Sequence, residues 1–210
     1  MISISSLKQH NTFNEKLIIS GLSCIPFMVW LISTGDIFSY FFLKVPAGQI
    51  LYIFSKLAGL YAYYFMALQL IIGFQGRKSQ YFSYHPALGI LTTLTIVAHL
   101  GLFITGASLK TKHVPIEILW PTFSNGYYKS SISYGVIAAY FLLLIITAGF
   151  LQKKIPVFKI IHRFAPIVVL LGWIHSFNIG TETRSIPTMT FYIVLFCIAL
   201  YMFIKKLLRA

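Results

Sequence analysis

Six long apolar runs dictate most of what this chain can become: positions 17–34, 50–74, 86–108, 133–151, 161–180 and 187–204. A helix of about 20 residues crosses the hydrocarbon of a bilayer. Each run is too long for a strand and lacks strict alternation, and in lipid the backbone must satisfy its own hydrogen bonds, so helix is the natural solution. The expected fold class is an all-α membrane protein, a six-transmembrane-helix bundle. Composition agrees: 58% of residues are hydrophobic and 10% charged, against about 25% charged in soluble domains.

The runs divide the chain into a polar N-terminal segment (1–16), a six-helix domain (17–204) and a basic tail (205–210). The first segment is too polar for a short cleaved leader, so the first run is expected to be retained as a helix. Breakers separate the runs: Pro46-Ala47-Gly48, Gly76-Arg77-Lys78 and Lys153-Lys154-Ile155-Pro156. The longest connection, about 109–132, carries Pro115, Trp120, Pro121 and Asn125-Gly126. A short interfacial segment is expected there, anchored by Trp120, Tyr127 and Tyr128.

The net charge of +13 sits at the ends of the apolar runs, where cations meet anionic headgroups and set orientation. No basic face with interleaved aromatics lies outside the runs, so membrane lipid rather than nucleic acid is the expected partner. With the N-terminus inside, Lys8, Lys16, Arg77, Lys78, Lys153, Lys154, Lys159, Arg163, Lys205, Lys206 and Arg209 face the cytoplasm. Lys44, Lys56, Lys110, Lys112, Lys129 and Arg184 face outward. Eleven against six predicts both termini in the cytoplasm of a multi-pass protein of the cell (inner) membrane. Lys56 falls inside the second run near its outer end, where it can snorkel.

The carboxylates Glu15, Asp36, Glu117 and Glu182 all lie outside the depths of the apolar runs, which argues against a two-carboxylate hydrolase or a carboxylate-rich metal centre. Cys24 and Cys197 lack metal spacing and are expected to be inert buried residues. His10 and His113 fall in polar flanking segments and read as surface residues.

The other four histidines belong to the apolar segments: His85 and His99 in the third, His162 and His175 in the fifth, at spacings of 14 and 13 residues. Ionisable residues inside a membrane mark functional sites by default. In the alternating topology the third and fifth helices run parallel, which sets His85 level with His162 and His99 level with His175. At 1.5 Å per residue the two levels are roughly 20 Å apart. Two stacked bis-histidine haem sites would span most of the bilayer. Fourteen residues return to within about 40° of one helix face, but thirteen leave roughly 140°. The fifth helix must therefore be irregular, and Pro166 is placed to kink it. Arg163 adjoins a candidate ligand and is the cation read as cofactor-binding, toward a haem propionate. Gly89, Gly101 and Gly172 are small enough to let a flat macrocycle or a neighbouring helix come close. Trp173, Phe177 and Phe164 read as core packing. The residues alone leave open two haems, one haem, or a histidine-based proton or ion transporter.

These residues resemble the ferric reductase-like transmembrane domain, the six-helix haem module also found in NADPH oxidases and metalloreductases. The resemblance runs from Leu57-Ala58-Gly59-Leu60 through Gln69-Leu70-Ile71-Ile72-Gly73 and His85-Pro86-Ala87-Leu88-Gly89 to His99. It resumes at Phe158-Lys159-Ile160-Ile161-His162-Arg163 and continues through Ile174-His175 to Gly180-Thr181-Glu182-Thr183. It implies two b-type haems between the third and fifth helices, with His85 and His162 on the inner iron and His99 and His175 on the outer iron. The 13-residue spacing is similar to the oxidase pattern. By the same resemblance the chain is the haem-binding membrane subunit of an oxidoreductase. No phosphate-cradling glycine-rich loop appears before Lys205-Lys206-Leu207-Leu208-Arg209-Ala210. The expected donor is therefore a separate flavoprotein reductase or a quinol, and the expected acceptor is ferric iron, dioxygen or an extracytoplasmic redox partner. A single-haem anchor subunit of a periplasmic reductase is the alternative within the family.

Overall fold

The computed structural model describes residues 21–76, 80–123 and 126–208. The segment 1–16, the start of the first apolar run, and Lys8, Lys16, Arg77, Lys78, Asn125 and Arg209 lie outside the described residues, as do Glu15 and His10. Among the described residues the only regular structure is helical: α1 (Gly21–Thr34), α2 (Ser39–Phe42), α3 (Gln49–Gln75), α4 (His85–Thr111), α5 (Tyr127–Leu151), α6 (Val157–His162), α7 (Ala165–Ile179) and α8 (Ile186–Leu207). Short 3-10 turns cover Gln80–Tyr84, Ile116–Leu119 and Glu182–Arg184.

Five helical stretches are long and apolar enough to cross a membrane: α3, α4 with the turn before it, α5, α6 continued by α7, and α8. The chain is thus an all-helical, multi-pass membrane protein. The first apolar run is a shorter helix over its described part. Trp30 ties it to the bundle, donating its indole N–H to the Ile53 carbonyl at 2.8 Å from a buried position.

The central helix is α3, which packs against α4, α7 and α8. Tyr192 of α8 donates to the Leu60 carbonyl at 3.2 Å, and the buried rings of Tyr63 and Tyr192 lie 5.2 Å apart. α3 begins at Gly48, whose φ of 80° is left-handed. The Gly106 carbonyl of α4 occupies the space that a β-carbon on Gly48 would need, so glycine at both positions lets the helix ends close on each other. α5 packs against α6 and α7. The bundle is therefore two helical hairpins, α3–α4 and α5–α6/α7, joined through the α3–α7 contact, with α8 against α3 and α7. α4 makes no extended packing against α5 or α7.

Three local expectations change. The fourth span starts at Tyr127 rather than 133, because Ser130, Ser131 and Ser133 turn their hydroxyls onto the carbonyls of Gly126, Tyr127 and Lys129 and ride inside the helix. The interfacial segment reduces to the 3-10 turn Ile116–Leu119, with Trp120 76% exposed beside it; Tyr127 and Tyr128 belong to the first turn of α5. Cys24 and Cys197 are exposed rather than buried, since an apolar run in a membrane helix has sides that the bundle does not enclose.

Candidate functional site

Each of the four intramembrane histidines meets the backbone of the neighbouring helix in the same way. His85 Nδ1 lies 3.1 Å from the Gln69 carbonyl and His99 Nδ1 2.8 Å from the Ser55 carbonyl, both on α3. His162 Nδ1 lies 3.0 Å from the Ile145 carbonyl and His175 Nδ1 2.9 Å from the Ser131 carbonyl, both on α5. A carbonyl oxygen only accepts, so Nδ1 carries the proton in all four rings and Nε2 keeps its lone pair. Around His99 the bond is reinforced by the buried Ser55, whose hydroxyl donates to the His99 carbonyl at 2.9 Å and stands 3.1 Å from its Nδ1.

The histidines pair across the two hairpins as the topology requires. The rings of His85 and His162 have centroids 6.1 Å apart with planes at 87°. Those of His99 and His175 are 6.3 Å apart at 79°. An imidazole–metal bond of ~2 Å, with about 1.1 Å from nitrogen to ring centre, puts two axial imidazoles about 6.2 Å apart through one metal atom. Both pairs have that separation, so the donor set fits an iron with one histidine on each face. Among the described residues no group of three or more His, Cys, Asp or Glu side chains could hold a bare ion, whereas a haem needs only axial ligands from the protein.

The irregular fifth helix is present, and it sits at Arg163-Phe164, between α6 and α7. Arg163, Phe164 and Ile167 bond three residues back, to Ile160, Ile161 and Phe164, at 3.0, 3.0 and 2.9 Å. Pro166, in the first turn of α7, has no N–H to give the His162 carbonyl. Such tight turns rise about 2.0 Å per residue, against 1.5 Å in an α-helix, and advance about 120°. Three of them add roughly one residue's length, so 13 residues here span what 14 span on α4, and the added rotation works against the phase mismatch.

Arg163 itself is exposed in that turn. Lys56 does not simply snorkel: its Nζ lies 2.7 Å from Glu182 Oε1 and 2.7 Å from Thr181 Oγ1, and 4.9 Å from the centre of the Tyr52 ring. Glu182 is itself buried. This ion pair pins the turn after α7 to α3, one residue from the carbonyl that holds His99. A cavity of about 560 Å³ opens at the same end of the bundle, its lining including Tyr52, Phe103, Lys110, Trp120, Tyr128 and Lys129. Phe103 is one helical turn beyond His99. Trp173 stacks between Phe177 and Phe196, with centroids 5.2 Å apart on both sides, while Phe164 is exposed.

Sequence reading passed over the residues that receive the histidines. A β-carbon on Gly59 or Gly73 of α3 would meet His99 or His85, and one on Gly135 or Gly149 of α5 would meet His175 or His162. Gly172 instead faces Met66 and Tyr63, Gly89 faces Gln69, and nothing lies within 4 Å of a β-carbon on Gly101. The missed signal was an interval: Gly59 to Gly73 and Gly135 to Gly149 are both 14 residues, with Ser55 and Ser131 four residues before the first glycine of each pair. The second hairpin repeats the first at 76 residues, apart from His162, which stands 77 after His85.

No curated protein and no solved structure gives a significant match to the chain. The family model described as ferric reductase like transmembrane component matches residues 57–173, which includes His85, His99 and His162 and stops two residues short of His175. The stretch from Ile174 to Thr183 lies beyond it. The match covers more than half of the sequence and spans both hairpins, and on that ground the chain belongs to the ferric reductase like transmembrane component family.

Proposed function

We propose that this chain carries electrons one at a time across the cell membrane through two b-type haems, one held by His85 and His162 and the other by His99 and His175. The family connection speaks for transmembrane electron transfer in general. The observation that carries the specific reading is the pair of cross-hairpin histidine contacts, at 6.1 and 6.3 Å, each ring fixed by a carbonyl through Nδ1, which leaves Nε2 as the nitrogen free to bind. When bound, haem supplies reversible one-electron chemistry within a medium that excludes charge.

The chain's own residues would do the rest. The carbonyls of Gln69, Ser55, Ile145 and Ser131 hold each imidazole in the Nδ1–H tautomer and at a set angle. With two histidines reserved for each iron, the group would supply electron transfer at its edge rather than dioxygen binding at the metal. Arg163, in the turn beside His162, is available to a propionate at the inner level. The excess of lysine and arginine on one side supports reading the His85/His162 level and both termini as cytoplasmic, with the first apolar run counted as a sixth span. Electrons then enter from a cytoplasmic-side flavoprotein or quinol. They leave to ferric iron, dioxygen or a redox protein outside, where the cavity beyond His99 brings an acceptor within a helical turn of the outer pair.

The test is haem quantification with optical spectra of the purified protein. Two low-spin haems per chain are expected, falling to one in His99→Ala and to one in His85→Ala. A protein that purifies folded but without a Soret band removes the proposal and leaves a protonation relay. One haem in the wild type, lost only with His85 or only with His99, reduces it to a single-site anchor.

A further inference from the structure

The contact that orients each imidazole occurs four times, and its constant part is a glycine. We infer that Gly59, Gly73, Gly135 and Gly149 are positioning residues, each clearing the ground on which one histidine is set; this rests on the haem reading above. In a helix the carbonyl of one residue accepts from the N–H four residues on, and its second lone pair stays free. The Cα–Cβ bond tilts toward the helix N-terminus, so the side chain at that fourth position stands over the lone pair. Glycine there takes the cover away.

In all four cases the carbonyl that accepts from Nδ1 lies four residues before the glycine the ring covers. Ser55 precedes Gly59 under His99, Gln69 precedes Gly73 under His85, Ser131 precedes Gly135 under His175, and Ile145 precedes Gly149 under His162. A β-carbon on Gly135 would stand 2.5 Å from His175 Nδ1, on Gly59 3.0 Å from His99 Nδ1, on Gly73 3.1 Å from His85 Cε1, and on Gly149 3.3 Å from His162 Cε1. Glycines used for plain helix packing are present too, and they meet other groups: Gly172 meets Met66 and Gly106 meets the start of α3. The four that matter instead face rings that lie opposite one another in pairs. Because the glycines are 14 residues apart on both α3 and α5, they also fix the distance between the two levels.

The role has a spectroscopic consequence that general packing would not have. A ligand histidine that donates through Nδ1 is more basic at Nε2 and held at one ring angle. Pushing the ring off its carbonyl should change the potential and the low-spin resonance of its own haem only. The experiment is a redox titration followed optically, with low-temperature electron paramagnetic resonance of the oxidised full-length protein. It is run on G59A, G73A, G135A and G149A, with His85→Ala and His99→Ala to assign the two signals. G135A and G59A are expected to move the outer signal alone, and G73A and G149A the inner signal alone. The change should be largest for G135A and smallest for G149A. Equal disturbance of both signals by every variant, or titrations like wild type throughout, overturns the inference. Should the crowded G135A fail to accumulate, G149A has the most room and decides by whether it moves the inner signal alone. A wild type without haem defeats the proposed function first; a two-haem wild type with indifferent alanine variants defeats only the positioning role.

Discussion

Lys56 and Glu182 show what a single pair of residues contributes. Their charged atoms are 2.7 Å apart, with side-chain exposures of 21% and 6%. Removing one partner of a buried ion pair leaves the other charge stranded at a cost of about 3 kcal/mol, while replacing both by apolar groups is often nearly neutral. Glu182→Ala and Lys56→Ala should therefore each lower the melting temperature in detergent by several degrees, and Lys56→Met combined with Glu182→Leu should recover most of the loss; a double variant worse than either single one contradicts this. Ser55→Ala should be mild, costing about 1 kcal/mol, because His99 keeps the Ser55 backbone carbonyl. At this scale the cross-helix pairing of the histidines was legible because four ionisable groups on two apolar runs, at nearly equal spacing, are harder to explain as isolated helix-bridging polar residues than one would be. Their glycines were not, since a glycine in a membrane helix has many uses and its partner histidine is 40 residues away for Gly59 and Gly135 but only 12 or 13 for Gly73 and Gly149. Lys56 was read as a snorkelling cation because its partner lies 126 positions further along.

For whole elements, the fifth span is the one whose shape departs from its composition. An uninterrupted helix from 157 to 179 would turn His162 and His175 roughly 140° apart. The break at Arg163-Phe164 changes both rise and rotation, and Pro166 keeps it in place by withholding an N–H. Pro166→Ala restores that donor and lets α6 run on into α7. Haem content is expected to fall below two per chain, with the His162 site lost and the His175 site retained, as read by pyridine haemochrome assay; an unchanged stoichiometry would show that the tight turn persists without proline. Sequence arithmetic on His162 and His175 demanded this irregularity before its location was known, since periodicity is fixed by the backbone. The start of α5 was misplaced for the opposite reason: the stretch Tyr127–Ile132 is polar by composition, yet serine hydroxyls can bond to carbonyls inside their own helix and so be carried by it. Helix boundaries depend on such local bonds, and hydropathy does not register them.

For the whole molecule, the order of the apolar runs was enough to set His85 opposite His162 and His99 opposite His175, because successive runs that each cross the membrane must alternate in direction. The equivalence of the two hairpins was not visible, since only the backbone-facing residues repeat and the apolar filling between them is unrelated. Every histidine pair takes one ring from α4 and one from the α6/α7 span, so on the haem reading neither hairpin would hold a haem by itself. Fragments divided within the 112–126 connection should each bind no haem when expressed alone and regain two per pair when expressed together; a single fragment with a bis-histidine spectrum would contradict the pairing.

The sparse packing of α4 against α5 and α7 has a consequence for biogenesis. The translocon delivers the hairpins in sequence, and protein contacts alone join them along one side only. A flat, rigid ligand gripped from both sides would act as a rivet, and a pair of rivets at separate depths would remove the hinge. Cofactor supply, rather than insertion of the chain, would then decide when the membrane gains a finished molecule.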